Sequence, residues 1–111
     1  MKVKICDAKK FGTALSILQG RTGANIIVVC TTCETQKNIV TGIQNALCKP
    51  IVLEKLPLNK VEKAIENFNA NLCVKVMFCK NISNFFETTI FNGSGKPIIK
   101  QQQINLEFLL K

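Results

Sequence analysis

Four consecutive β-branched apolar residues, Ile26-Ile27-Val28-Val29, set the strongest limit on what this chain can fold into. A half-exposed strand alternates apolar and polar residues, so a run without alternation predicts a strand buried on both faces. Such a strand needs a covering layer on each side. The flanking segments meet that demand. Phe11–Leu18 has apolar residues at 11, 14, 15, 17 and 18, a helical spacing that ends at Gly20. Thr35–Leu47 carries Ile39, Val40, Ile43 and Leu47 at helical spacing, and Asn59–Phe68 carries Val61, Ala64, Ile65 and Phe68, with Asn59 placed as N-cap. Val3–Cys6, Pro50–Leu53 and Leu72–Phe78 read as further strands. Strand and helix therefore alternate from Val3 to Phe78. That order predicts an α/β fold, a three-layer α/β/α sandwich around a mostly parallel or mixed central sheet.

The remainder reads differently. Asn81–Glu87 is expected as a short helix. Thr88–Phe91 and Pro97–Lys100 flank Asn92-Gly93-Ser94-Gly95, where Asn-Gly signals a hairpin. Asn105–Leu110 is a short helix or strand. With 111 residues and no linker, repeat or low-complexity stretch, the chain is expected to be one domain, 1–111, with 88–111 as a C-terminal hairpin and tail.

Charge points to the kind of partner. Fifteen Lys and Arg against seven Asp and Glu give a formal net charge of +8. This favours a polyanion, nucleic acid first. The cations are spread from Lys2 to Lys100, which fits a face assembled by folding. The chain has no His, Trp or Tyr, which removes the usual general base and most base-stacking side chains. No apolar run reaches the ~18 residues of a membrane span, and the opening M-K-V-K-I-C-D lacks the apolar core of a secretory leader, so an intracellular, cytoplasmic chain is expected.

Six cysteines could form three disulfides in an oxidising compartment. Here they lie in apolar segments such as Leu72-Cys73-Val74 and Phe78-Cys79, where reduced thiols act as small hydrophobes. Cys30-Thr31-Thr32-Cys33 is the exception. It joins the buried strand to a helix, the geometry in which a helix N-terminus activates a thiol. A thioredoxin-like thiol–disulfide protein using Cys30 and Cys33 is the alternative reading. It lacks an aromatic residue before the dithiol, and Glu87 stands where a proline is expected before the hairpin. A lone C-x-x-C without His falls short of a zinc site. Neither Phe11-Gly12-Thr13-Ala14-Leu15 nor Gly93-Ser94-Gly95-Lys96 completes a Walker loop, so no metal and no cofactor is expected.

Across Phe11–Ile90 the order of elements resembles the kink-turn RNA-binding ribosomal-protein superfamily. Ala14-Leu15-Ser16-Ile17-Leu18-Gln19-Gly20 resembles its helix ending in Gly, and Asn25-Ile26-Ile27-Val28-Val29 its central strand. Thr32-Cys33-Glu34, Ala46-Leu47-Cys48, Lys49-Pro50-Ile51-Val52, Val61-Glu62-Lys63-Ala64-Ile65 and Val74-Lys75-Val76-Met77-Phe78 resemble its later elements. Of its Gly-Asn-Glu contact motif, Gly12 alone is matched.

The resemblance and the charge together imply a non-catalytic RNA-binding protein of a ribosome or other ribonucleoprotein. Its expected partners are rRNA or another structured RNA and ribosomal proteins. The candidate contacts are Lys9, Lys10, Gly12 and Thr13 at a helix start, Arg21 in the following turn, and Lys55, Leu56 and Leu58 in a loop after a strand.

Overall fold

The run Ile26–Val29 lies in β2 (Asn25–Val29), an interior strand of a five-stranded sheet. The structure, a computed structural model, describes residues 1–79 and 84–111. β2 pairs in parallel with β3 (Lys49–Leu53) on one side and β4 (Leu72–Phe78) on the other. β5 (Phe85–Asn92) runs antiparallel to β4, and β1 (Lys2–Lys4) antiparallel to β5. The order across the sheet is β1-β5-β4-β2-β3, so the sheet is mixed. Ile26, Ile27 and Val28 have no solvent exposure.

The alternation of side chains divides the interior into two cores. Ile26 and Val28, with Leu72, Val74, Phe86 and Ile90, face α1 (Ala8–Gln19), α2 (Glu34–Asn45) and α4 (Lys100–Leu109). Ile27, Val29, Cys73 and Phe91 face α3 (Val61–Phe68). Phe11 of α1 meets Phe86 of β5 edge-on at 5.7 Å between ring centroids, a favourable aromatic geometry. The first core holds three helices and the second holds one short helix. The α/β/α sandwich is therefore lopsided.

α1 starts three residues before the expected Phe11, because Ile5–Asp7 forms a 3-10 turn that leads directly into it. It stops at Gly20, whose left-handed φ of 71° suits glycine and lets its N–H reach the Ile17 carbonyl at 2.9 Å. α3 starts at Val61 after a 3-10 turn over Leu58–Lys60, and Asn59 does not cap it. The expected helix over Asn81–Glu87 is corrected where it can be seen. Residues 81–83 lie outside the described residues, while Phe85–Glu87 are strand. There Phe86, Thr88 and Ile90 are buried and Phe85, Glu87 and Thr89 are half-buried, a period of two. The expected hairpin shrinks to a turn and one bridge, Phe91 to Pro97, since Pro97 has no N–H to continue a ladder. The chain then enters α4, where Gln102 Oε1 accepts from the Ile99 N–H at 3.3 Å.

β1 is held by its own end. The Met1 ammonium lies 2.7 Å from Glu87 Oε1, and the Thr88 N–H and hydroxyl both donate to the Met1 carbonyl. That extra tie suits a strand only three residues long.

α1 and α2 touch through backbone. A Cβ on Gly12 would lie 2.2 Å from the Ile39 carbonyl oxygen, and one on Gly42 would lie 2.0 Å from that of Lys9. Thr13 Oγ1 donates across the crossing to the Gly42 carbonyl at 3.2 Å. Alanine at either glycine would add about 1 kcal/mol of helix propensity, but the added methyl overlaps backbone that cannot swing aside. Gly12→Ala and Gly42→Ala should each lose roughly 1–3 kcal/mol net, the usual cost of overpacking. Chemical denaturation measures this. A gain in stability at either position would show that the helices do not meet as described.

Candidate functional site

Ligands in open α/β sheets bind at the carboxyl ends of the strands, where the strand order reverses. Here it reverses at the β2/β4 boundary. From β2 the chain moves out to the edge strand β3, and from β4 it moves the other way to β5. The loop Cys30–Cys33 leaves β2 at this boundary and enters α2.

That loop is fixed from both sides. The Cys30 N–H donates to the Leu53 carbonyl at 3.0 Å, extending the β2–β3 ladder by one bond. Gln36, itself buried, returns from the first turn of α2 and donates Nε2 to the Cys30 carbonyl at 3.0 Å. Thr32 Oγ1 donates to Glu54 Oε1 at 2.8 Å and so ties the β2 loop to the residue that follows β3. No side chain caps α2: Cys33 occupies the N-cap with extended backbone and makes no side-chain bond to the first turn. Thr31, Thr32, Glu54 and Lys55 are exposed around this helix start. The loop thus offers the free N–H groups of a helix start, two hydroxyls and the carboxylates of Glu34 and Glu54 on one edge.

Burial divides the Cys30–Cys33 pair: Cys30 is buried and Cys33 is half-buried. Burial first, then the neighbouring Cys33 thiol, pushes the pKa of Cys30 up to about 12. A nucleophilic dithiol needs a shift in the other direction. Cys73, also buried, is pushed up to about 11 by burial, partly offset by Lys75. Cys6 is exposed, and no disulfide joins the cysteines of the described residues. Among the described residues no three His, Cys, Asp or Glu side chains gather as a metal site.

The residues singled out in the sequence do not converge. Lys9 and Lys10 are exposed on the first turn of α1, and Lys10 Nζ donates to the Lys111 carbonyl at 3.1 Å. Gly12 is corrected outright. It is buried in the second turn of α1 against α2, so its backbone is closed to a phosphate. Thr13 spends its hydroxyl on the Lys9 and Gly42 carbonyls. Arg21 follows the C-terminal end of α1, a helix length away from Lys9. Lys55 and Leu58 are exposed, but Leu56 packs into the core under α3, on the other face from α1. The Thr32–Glu54 contact was missed. Its signal is the parallel register that sets Val29 beside Leu53, which no spacing along the chain reveals.

No family model and no curated protein matches this chain. Its fold is similar to a crystal structure from Thermus thermophilus, that of a protein named as a candidate phosphomannomutase. The TM-score is 0.75 at 13% identity, over 100% of this chain and 28% of that one. The chain thus spans little more than a quarter of the length of that protein. This likeness overturns the expectation of a ribosomal or ribonucleoprotein RNA-binding domain: the fold matched is that of part of a protein named as a candidate phosphomannomutase. The basic residues that prompted the expectation are also divided between both faces of the sheet and both ends of α1.

The raised thiol pKa values fix a pH dependence. In the unfolded chain both thiols ionise from 9.0, whereas folded Cys73 and Cys30 hold their protons to about 11 and about 12. Between those limits the unfolded state binds fewer protons, so stability falls as pH rises. Denaturation midpoints should drop from pH 9 upward, and Cys73→Ala should blunt the drop. Iodoacetamide at pH 8 should label Cys6 well before Cys30 or Cys73. Rapid alkylation of Cys30 in the folded protein would restore the redox reading.

Proposed function

We propose that this chain is a domain that binds a phosphorylated small molecule of the sugar-phosphate class at the carboxyl edge of β2. One observation carries the reading. An uncapped helix N-terminus and a Thr32–Glu54 pair share a single loop edge at the point where strand order reverses. The amides of the first turn of α2 and the Thr31 hydroxyl suit a phosphate. The helix dipole adds to the attraction. Glu54 accepts from Thr32 through one oxygen and suits the hydroxyls of a sugar ring through the other. Lys37 and Lys55, both exposed, offset the carboxylates of Glu34 and Glu54 around the loop, so the attraction for an anion falls to the helix-start amides.

The likeness to a candidate phosphomannomutase supports the same chemical class, since that name describes a protein acting on a mannose phosphate. The groups at this edge bind and orient. We assign this domain the holding of ligand and no complete reaction of its own.

The test is a titration followed by amide chemical shifts. Hexose 6-phosphate should move the signals of Thr31–Gln36 and Glu54, inorganic phosphate should move Thr31–Gln36 alone, and the unphosphorylated hexose should move neither. Thr31→Val should weaken hexose 6-phosphate by about ten-fold, the value of one hydrogen bond to a charged group. Shifts scattered over surface lysines, or no shift at 20-fold excess over millimolar protein, would sink the proposal.

A further inference from the structure

The second face of the sheet is only half covered. α3 covers Ile27, Cys73 and Phe91, which are buried. Two residues further along β4 and out to β1, no helix among the described residues covers the same face. Register places its residues in three rows. Lys75 lies beside Thr89, Met77 beside Glu87 and Glu87 beside Lys2, and Phe85 beside Lys4. Met77 is 58% exposed, Lys2 and Lys4 are exposed, and Lys75, Phe85 and Thr89 are half-buried. At the corner an open pocket of about 510 Å³ is lined by Lys4, Ile5, Cys6, Asn84 and Phe85.

On these three rows the one carboxylate among the described residues, Glu87, is taken by the Met1 ammonium at 2.7 Å, while Asp7 and Glu107 stand beyond the β1 edge, where they line a pocket with Lys2, Lys4 and Phe85. Lys2, Lys4 and Lys75 have no carboxylate within ion-pair distance among the described residues. Three cations thus surround an apolar centre made by Met77 and Phe85.

We propose that this open half of the sheet is the docking site for an amphipathic helix of a partner protein, apolar along one stripe and acidic on its flanks. The width fits. Three strands at about 4.8 Å spacing present a strip of roughly 10 Å, the diameter of one α-helix. A helix there would complete the layer that α3 only begins, as a three-layer sandwich requires. The apolar stripe would cover Met77 and Phe85, one side chain would enter the corner pocket, and the acidic flanks would meet Lys2, Lys4 and Lys75. A second copy of this chain is a poor occupant, because two bodies of net charge +8 repel. The site is distinct from the β2 loop, so the two proposals stand or fall separately.

The probe is a synthetic 18-residue helical peptide with a leucine stripe flanked by glutamates. A control peptide has the same stripe flanked by lysines. The acidic peptide should shift the amides of Lys2, Lys4, Lys75, Met77 and Phe85, and the basic one should bind about ten-fold more weakly or worse. Lys4→Glu with Lys75→Glu should reduce binding of the acidic peptide by about ten-fold or more, and Met77→Asp by a similar factor, with thermal unfolding nearly unchanged because these side chains are partly or fully exposed. Equal binding of the two peptides, shifts that centre on Ile104 and Phe108 of α4, or no binding at millimolar peptide would each overturn the proposal. So would a single-stranded oligonucleotide that binds the same face more tightly than the acidic peptide.

Discussion

The rest of the fold depends on the crossing of α1 and α2 at Gly12 and Gly42. Two helices with ordinary side chains at their contact stay about 8–10 Å apart. With glycine on both sides, backbone meets backbone, and the Thr13 hydroxyl can bond the Gly42 carbonyl directly. That closeness lets two helices share one face of the sheet and still leave room for α4, whose Leu106 is completely buried in the same core. Larger residues at either position would push α1 and α2 apart and raise both from Ile26, Val28 and Val74 beneath them.

The crossing also sets the site. α2 is clamped by α1 near its middle and by Gln36 near its start. Its first turn therefore has a fixed place above the end of β2. The Thr32–Glu54 bond holds the loop from the other side. Binding at such a place costs little ordering, because the donors are already aimed. The buried thiols belong to this rigid frame: Cys30 closes the loop from below, and Cys73 packs under α3.

Local periodicity made much of the fold legible. The unbroken apolar run at Ile26–Val29 told of a strand covered on both sides, and Leu72–Phe78 falls where its β-branched pattern put it. What local pattern could not show was pairing. Phe85–Glu87 looked helical because a Phe-Phe-Glu sequence has no strong period of its own. Only the partner β4 makes one Phe an inside residue and the next an outside one. Gly12 misled for a related reason. A glycine near a helix start has the same one-letter context whether it faces a phosphate or another helix, and the deciding neighbour, Ile39, is 27 positions away. The Thr32–Glu54 pair likewise exists only through the parallel register of β2 and β3.

Net charge says little about recognition because it is a sum, whereas recognition depends on where the charges lie. The same +8 can make one basic face or several small ones. Here the topology divides it. Lys9 and Lys10 ride on the start of α1, on one side of the sheet, and Arg21 follows the other end of that helix. Lys55 leads toward α3 on the opposite side. Lys2, Lys4 and Lys75 share a surface with exposed Met77 and half-buried Phe85, because adjacent strands bring residues distant in sequence into one patch. A long polyanion would have to wrap both faces of the sheet to meet most of the lysines. A small anion at the β2 loop needs only the aimed amides and hydroxyls of a single turn, and a flanking acidic helix needs only the three lysines of a single sheet face. The two proposed sites therefore call for compact ligands at separate places, whereas the composition alone points to one extended partner.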